Sequence, residues 1–237
     1  MTSANLTLSP TKGKAMDLFV NAVPRGKSLP VELLYSSEHR FGRRIDYSIC
    51  ETCPLRGNPK VWRWRGNCQS PLCFVGINPG TQEKEYGWPF VGPAGNEMDK
   101  TVIGPLGLGT GQTLIGNNLI FLSGQFYITN LVKCWTLHND EPPVEAVKLC
   151  WQHLLPELEG RKLIVLLGQY VQENFADLYH GSVELMPMIH PAAATRKGLY
   201  KAILMRDAGR LRRKLEYATS EVDGNVRGAE DGRVRAQ

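Results

Sequence analysis

This sequence contains neither a candidate membrane span nor a candidate secretory signal. A membrane-spanning helix requires about 20 consecutive apolar residues, and no apolar run approaches that length. The first residues, MTSANLTLSPTKGKAMDLF, lack the continuous apolar segment of a signal peptide. We therefore expect a cytoplasmic protein that does not bind membranes. Walker and GxGxxG motifs are also missing, which argues against a nucleotide cofactor.

The six cysteines are more typical of free thiols or metal ligands than of disulfides, because the chain carries no export signal. Four of them are close enough in sequence to form a zinc ribbon, namely Cys50, Cys53, Cys68 and Cys73. Cys73, however, lies inside an apolar segment, where a buried free thiol is the usual interpretation. A zinc ribbon would also leave Cys134 and Cys150 unexplained.

The composition is that of a folded and mildly basic protein. Its 237 residues, 42% of them hydrophobic, suffice for one large domain or two small ones. A net charge of +5 is compatible with nucleic-acid binding but does not establish it. Residues 1–30 are predicted to form a flexible arm and residues 218–237 a disordered tail. The alternation WRWR at residues 62–65 predicts a short strand with its tryptophans buried and its arginines exposed.

Short apolar runs alternate with helical patterns from residue 72 onward. Buried strands are predicted at residues 72–75, 126–132, 163–167 and 183–188. Helices are predicted at residues 94–103, 144–158, 169–178 and 199–217, and the glycine-rich residues 104–118 are predicted to form a loop. The alternation is typical of a parallel sheet covered by helices. We predict a single α/β domain over residues 31–217, with a central, mostly parallel four-stranded sheet.

Polar side chains follow three of the predicted strands. Asn78 lies in the turn GINPG after the first strand, Asn130 near the end of the second, and His190 after the fourth. Ligands of parallel α/β sheets bind at the carboxyl ends of the strands. The sequence therefore predicts a pocket that contains these three side chains, with Gly76 and Gly80 allowing close approach of the backbone.

Four segments together resemble the motifs of the uracil-DNA glycosylase superfamily. They are GINPG at residues 76–80, PFVGPAG at 89–95, ITNLVKC at 128–134 and HPAAATR at 190–196. The resemblance covers residues 45–217 and is strongest with the iron–sulfur enzymes of family 4. This chain departs from family 4 at Ile77 and Asn78, where that family has Glu and Ala. The form GxNPG is instead similar to the mismatch-specific and single-strand-selective branches, so the base preference stays open.

The resemblance implies a monofunctional enzyme that hydrolyses the N-glycosidic bond of uracil, and of other deaminated bases, in DNA. Its partner would be DNA containing such a base, and the enzyme is expected to act as a monomer in base excision repair. No lysine is placed at the motifs to form a Schiff base, so lyase activity is not expected. The alternative is a protein of the same fold that binds uracil-DNA without catalysis or traps it covalently.

Two residues are expected to carry the catalytic roles. The leaving base becomes an anion, and the neutral imidazole of His190 can donate a hydrogen bond to it. Asn78 can orient a water at C1′ through its carbonyl oxygen, but it cannot accept a proton as an Asp could. We therefore predict a slower enzyme than its Asp-containing relatives. Glu83 and Glu85 follow the turn and could serve as bases, although exposed loop carboxylates are the simpler interpretation.

The resemblance also implies the residues that bind the substrate. Phe90 would stack on the extruded base, and Asn130 would pair with its polar edge. The remaining expected contacts are Gly76, Ile77 and Gly80 around the base, and Arg196 and Lys197 on the DNA.

The resemblance assigns a second set of four cysteines. Family 4 enzymes hold a [4Fe–4S] cluster through residues that match Cys50, Cys53, Cys134 and Cys150 here. Such a cluster would be structural, because it would tie the N-terminal segment to the helix predicted at residues 144–158. Zinc remains the alternative metal.

Overall fold

The computed structural model describes residues 39–40, 43–44 and 46–234, with side chains described for residues 46–217. The predicted N-terminal arm, residues 1–30, lies outside the described residues. Contacts divide the chain into two units, of which Arg25–Ala208 contains the central sheet and the candidate site. Within the described part, no helix is both long and apolar enough to cross a bilayer.

The described residues contain nine strands, and five of them form the central sheet. In chain order they are β1 (His39–Arg40), β2 (Arg43–Arg44), β3 (Arg65–Gly66), β4 (Leu72–Gly76), β5 (Gly109–Ile115), β6 (Asn118–Gly124), β7 (Tyr127–Asn130), β8 (Leu163–Leu167) and β9 (Glu184–Met188). The central sheet has the order β3-β7-β4-β8-β9. The four predicted strands are parallel, and β3 adds an antiparallel edge beside β7. The predicted α/β class is therefore confirmed, with five strands rather than four.

Helices connect the strands. They are α1 (Thr81–Tyr86), α2 (Pro93–Met98), α3 (Val144–Leu158), α4 (Gln169–Leu178), α5 (Pro191–Ala194) and α6 (Gly198–Val234). Helices α2, α3, α4 and α6 lie where the sequence pattern predicts, whereas α1 and α5 occur in segments where it predicts loops. A π-helical segment, Asp99–Ile103, extends α2, and short 3-10 turns occur at Tyr47–Cys50 and Leu137–Asn139. The backbone of α6 continues to Val234, beyond residue 217 where the sequence predicted its end.

The prediction of a loop at residues 104–118 is wrong. Strands β5 and β6 pair as an antiparallel hairpin whose turn consists of Gly116 and Asn117. Gly116 adopts φ 56°, as such a two-residue turn requires. A glycine–asparagine pair between two extended segments is a hairpin signal, but the many other glycines in this stretch obscured it.

Helices cover the neighbouring strands β4 and β8, whose residues are apolar throughout. Every residue of β4 and β8 is buried, which agrees with their continuous apolar sequences. On one side of the sheet, Trp151 and Leu154 of α3 pack with Phe175 of α4 in a shared core. The packed sheet is therefore a rigid support for the polar residues at the ends of its strands.

The prediction that both arginines of the WRWR run are exposed is wrong for Arg65. Arg63 is exposed, but the side chain of Arg65 is fully buried and forms an ion pair with Asp99 at 2.6 Å. The guanidinium group also donates hydrogen bonds to the carbonyl oxygens of Phe90 and Phe121. Asp99 in turn accepts a hydrogen bond from the Phe121 N–H at 2.8 Å. One buried ion pair therefore joins β3, the β5–β6 hairpin, the π-helical segment and the segment before α2.

Removing one partner of this pair should strongly destabilise the fold. Arg65→Met would leave Asp99 buried without its counter-charge, which costs about 3–5 kcal/mol in comparable sites. Arg63→Met is the matched control, because Arg63 is exposed in the same run. Urea unfolding should show a lower free energy of unfolding for Arg65→Met and no such change for Arg63→Met. Equal unfolding midpoints for the two variants would contradict the stabilising role of the Arg65–Asp99 pair.

Candidate functional site

A cavity of about 520 Å³ lies at the carboxyl ends of the central strands. Its walls include Asn78, Glu83, Phe90, Asn130, His190 and Arg196. The last residues of β4 and β7, Gly76 and Asn130, are neighbours in the sheet register. The structure therefore brings together the three polar side chains that the sequence placed at the strand ends. Ile77 and Gly80 line the same cavity.

Gly76 allows Phe90 and Asn130 to approach the floor of the cavity. A Cβ atom at this position would collide with the ring of Phe90 and would lie 2.7 Å from Asn130 Oδ1. Phe90 adopts φ 53°, a conformation that is uncommon for a bulky residue. Its carbonyl oxygen accepts a hydrogen bond from Arg65, and the glycine at position 95 leaves room for that carbonyl. The surrounding structure thus fixes the aromatic ring at the floor of the cavity.

Asn130 places an unsatisfied acceptor in the cavity. The residue is 3% exposed, and its Oδ1 atom has no hydrogen-bond partner among the described residues. Its backbone carbonyl accepts a hydrogen bond from Lys133 Nζ at 2.6 Å, and Lys133 is paired with the buried Glu157 at 2.9 Å. Buried polar atoms are usually satisfied, so an orphaned acceptor in a cavity indicates a ligand that donates a hydrogen bond.

His190 lies on the wall of the cavity as a neutral donor. It precedes α5, and its Nδ1 atom accepts a hydrogen bond from the Ala192 N–H at 3.2 Å. The proton of the neutral ring therefore resides on Nε2. Burial lowers the pKa of His190 to about 4, and the positive charge of Arg196 contributes to the same shift. The ring lies 5.7 Å from that of Phe90, measured between centroids.

The amide of Asn78 is oriented by Thr136, a residue that the sequence did not single out. The Thr136 hydroxyl donates to the Asp140 carbonyl oxygen at 2.5 Å and accepts from Asn78 Nδ2 at 2.9 Å. Nδ2 also lies 3.3 Å from the Pro79 carbonyl oxygen. With its N–H groups engaged, Asn78 keeps its Oδ1 atom available to accept a hydrogen bond within the cavity.

The expectation of exposed loop carboxylates is wrong for Glu83 and correct for Glu85 in its exposure alone. Both residues belong to helix α1 rather than to a loop, and Glu85 is exposed whereas Glu83 is 8% exposed. Glu83 Oε1 accepts a hydrogen bond from the Gly92 N–H at 2.7 Å. Asn139, with φ 58°, is a further lining residue that sequence reasoning missed. Its left-handed conformation depends on a local turn that no sequence periodicity indicates.

The residues expected to contact DNA lie near the mouth of the cavity. Arg196 is exposed and lines it, whereas Lys197 is exposed but is not part of the lining. Leu199, in the first turn of α6, is 71% exposed. This edge therefore presents two cationic side chains and one apolar side chain to solvent.

The cysteines fall into two groups in space. The pKa of Cys134 is raised to about 12 by burial, and the neighbouring thiols of Cys150, Cys53 and Cys50 raise it further. Backbone N–H groups donate to two of these sulfurs, at 3.3 Å for Cys150 and 3.4 Å for Cys53. The sulfur of Cys73, by contrast, interacts electrostatically with Arg161, Glu157 and Lys133.

The grouping fits the second set of four cysteines better than a zinc ribbon. Arg161 is also the charged neighbour of Cys68, and the described residues show no comparable interaction of Cys68 or Cys73 with another cysteine. Four grouped thiols, two of which accept N–H···S hydrogen bonds, suit an iron–sulfur cluster, whose sulfur ligands are stabilised by such bonds. No three ligand side chains within the described ranges are already arranged around a single metal position.

Comparison with known proteins identifies a family and several relatives. A family model described as the uracil DNA glycosylase superfamily matches residues 64–207. The chain is 25% identical to the type-4 uracil-DNA glycosylase of Saccharolobus solfataricus over 212 residues, covering 77% of this chain and 89% of that protein. It is 28% identical to the type-4 enzyme of Pyrobaculum aerophilum over 182 residues, covering 67% of this chain and 85% of the relative.

His190 should titrate far below the usual range of a histidine. Its pKa is lowered to about 4, so the neutral ring should persist through pH 5–6, where an ordinary histidine is mostly protonated. An NMR titration of the ring proton, assigned by its loss in His190→Gln, should give a midpoint near pH 4. Since the unfolded chain binds this proton at higher pH, the wild type should lose stability relative to His190→Gln as pH falls from 6.5 towards 4. A midpoint at 6 or above would contradict the neutral assignment.

Proposed function

The chain belongs to the uracil DNA glycosylase superfamily, and from this premise we propose that it hydrolyses the N-glycosidic bond between uracil and deoxyribose in DNA. The observation that carries the proposal is the convergence of Phe90, Asn130 and His190 on one cavity. The relatives named type-4 uracil-DNA glycosylases support the same substrate. Among the described residues that line the cavity there is no lysine to form a Schiff base, which favours simple hydrolysis over lyase chemistry.

Uracil must leave the base stack to reach this cavity, at a cost of a few kcal/mol. Stacking on the Phe90 ring would offset part of it, by about 1–3 kcal/mol. Uracil carries an N3–H donor beside the O4 acceptor. Asn130 Oδ1, which lacks a partner in the described structure, can accept from N3–H while its amide nitrogen donates to O4. The pairing explains why this buried acceptor is left unsatisfied.

Bond cleavage requires stabilisation of the departing base. As the C1′–N1 bond breaks, its electron pair moves onto uracil and negative charge develops on the carbonyl oxygens. Nε2–H of His190 is the donor for this charge, because Nδ1 is engaged with the backbone at Ala192. A neutral donor stays neutral through the physiological pH range, since the pKa of His190 lies near 4.

The nucleophile is a water at C1′. Asn78 Oδ1 is suited to hold it, because Thr136 and the Pro79 carbonyl occupy the amide nitrogen. Arg196 and Lys197 are suited to bind DNA phosphates beside the cavity, in keeping with the net charge of +5.

The four grouped cysteines, Cys50, Cys53, Cys134 and Cys150, would hold a [4Fe–4S] cluster. The cluster would supply a covalent cross-link between the 3-10 turn Tyr47–Cys50 and helix α3. It would also bring the segment after Asn130 into a fixed position, because Cys134 follows β7 closely. Zinc is the alternative occupant of a four-thiol site.

Uracil release should depend on both proposed catalytic residues. We expect wild type to generate alkali-labile sites in uracil-containing oligonucleotides, and His190→Ala to lower kcat about 10²–10³-fold through loss of the donor. Asn78→Ala should also be slower, because the water loses its acceptor. His180→Ala is the matched control, since His180 is exposed outside the cavity.

The same assay separates the alternatives. Retardation of uracil-DNA without alkali-labile sites would indicate an inert binder, and a heat-stable adduct lost in His190→Ala would indicate covalent trapping. Parallel oligonucleotides with hypoxanthine, xanthine or a G·T pair would define the base preference. A normal rate for His190→Ala would overturn its assigned role.

The protein should be brown after anaerobic purification, with broad absorbance near 400 nm. Cys134→Ser should lose the colour and the bound iron, whereas Cys68→Ser should keep both, because Cys68 lies outside the grouped thiols. Metal analysis provides the measurement. A colourless protein that contains zinc, and loses it in Cys68→Ser, would instead support the zinc ribbon.

A further inference from the structure

The cavity contains a carboxylate in addition to the side chains that bind uracil, stabilise the leaving base and orient the water. Of the side chains that line it in the described structure, Glu83 is the one carboxylate. Hydrolysis by water releases a proton, and an asparagine amide cannot accept it. His190 cannot accept it either, because Nε2 already carries the donor proton and Nδ1 is bonded to the Ala192 N–H.

The two carboxylate oxygens of Glu83 have different environments. Oε1 accepts a hydrogen bond from the Gly92 N–H at 2.7 Å, which fixes the orientation of the group. Oε2 has no hydrogen bond or ion pair with any residue that the structure describes. The side chain is only 8% exposed and lines the cavity, so this second oxygen is held at the site without a protein partner.

Gly80 allows Glu83 Oε2 to lie close to the backbone of the GINPG turn. A Cβ atom on Gly80 would lie 2.5 Å from Oε2, which is too short for a real contact, and 3.8 Å from Asn139 Oδ1. A side chain at this position would therefore displace the carboxylate oxygen. Asn78, two residues before Gly80, lines the same cavity as Glu83, so the amide and the carboxylate belong to one site.

The charges around Glu83 leave it available as a base. Arg65 interacts with it electrostatically, but Arg65 is already paired with Asp99. His190, across the cavity, is neutral near pH 7, and the exposed Arg196 lies at the cavity wall. None of these groups forms an ion pair with the Glu83 carboxylate in the described part of the chain.

We propose that Glu83 is the general base of the reaction, a role that rests on the proposed function. The water oxygen bonds to C1′ as the C1′–N1 bond breaks, and the electron pair of that bond leaves with uracil. The water proton passes to Glu83 Oε2. Before this transfer the carboxylate also stabilises the positive charge that develops on the sugar. Asn78 then orients the water, and Glu83 accepts its proton.

The test compares two variants of the same helix. Glu83→Gln keeps an oxygen that can accept from the Gly92 N–H but cannot take a proton, and Glu85→Gln makes the same charge change at an exposed site. Single-turnover release of uracil should fall about 10²-fold or more in Glu83→Gln and stay near wild type in Glu85→Gln. In Glu83→Ala, added formate should raise the rate in proportion to its concentration, whereas chloride at equal ionic strength should not.

The possible outcomes distinguish a general-base role of Glu83 from a structural one, and both from a failure of the proposed function. Equal rates for Glu83→Gln and Glu85→Gln would overturn the proposal and leave the proposed function intact. A slow Glu83→Ala that formate does not accelerate would assign Glu83 to loop structure through Gly92, which also overturns it. If wild type and Glu85→Gln both fail to release uracil while remaining folded, the proposed function itself is wrong.

Discussion

The buried ion pair between Arg65 and Asp99 is the interaction on which the cavity depends. Transfer of two charges out of water costs several kcal/mol per ion, and only close pairing with further hydrogen bonds compensates for it. Here the pair meets that requirement through hydrogen bonds to the backbone. Arg65 donates to the carbonyl oxygens of Phe121 and Phe90, and Asp99 accepts from the Phe121 N–H. The structural consequence is that Phe90 is held at φ 53° over the floor of the cavity. An apolar replacement could fill the volume, but it could not hold these backbone groups.

Glycines determine the shape of the site as much as the larger side chains do, because they let neighbouring groups approach the backbone closely. Gly76 lets the Phe90 ring and Asn130 Oδ1 approach the same point of the backbone, and Gly80 lets Glu83 Oε2 lie against the turn. Gly168, at φ 91°, contributes in the same way, because a Cβ there would lie 3.0 Å from His190 Cβ. Strands β4 and β8 therefore end in glycines or glycine-containing turns that let groups from other elements converge. This explains how two fully buried, apolar strands can support a polar site.

The sequence predicted those parts of the molecule whose signals are local. Helix α3 and strand β8 have the predicted bounds, because apolar periodicity and continuous apolar runs are properties of a short window. The convergence of Asn78, Asn130 and His190 followed from the rule that parallel strands end at the same edge. The burial of Arg65 and Glu83 could not be predicted in this way. A charged residue is buried only when a distant partner compensates it, and Asp99 and the Gly92 N–H are supplied by other segments.

The turn GINPG shows why a catalytic motif must be interpreted together with its surroundings. Taken alone, Asn78 in place of an acid indicates a site that can orient water but cannot take its proton. The fold adds a carboxylate to the amide of Asn78. Helix α1 begins directly after the turn, and its residue Glu83 lines the same cavity. Orientation and proton transfer can then be divided between two side chains, of which Asn78 is held by Thr136 and Glu83 by Gly92. An amide in the motif is therefore compatible with general-base hydrolysis, provided that the carboxylate is fixed by an independent hydrogen bond.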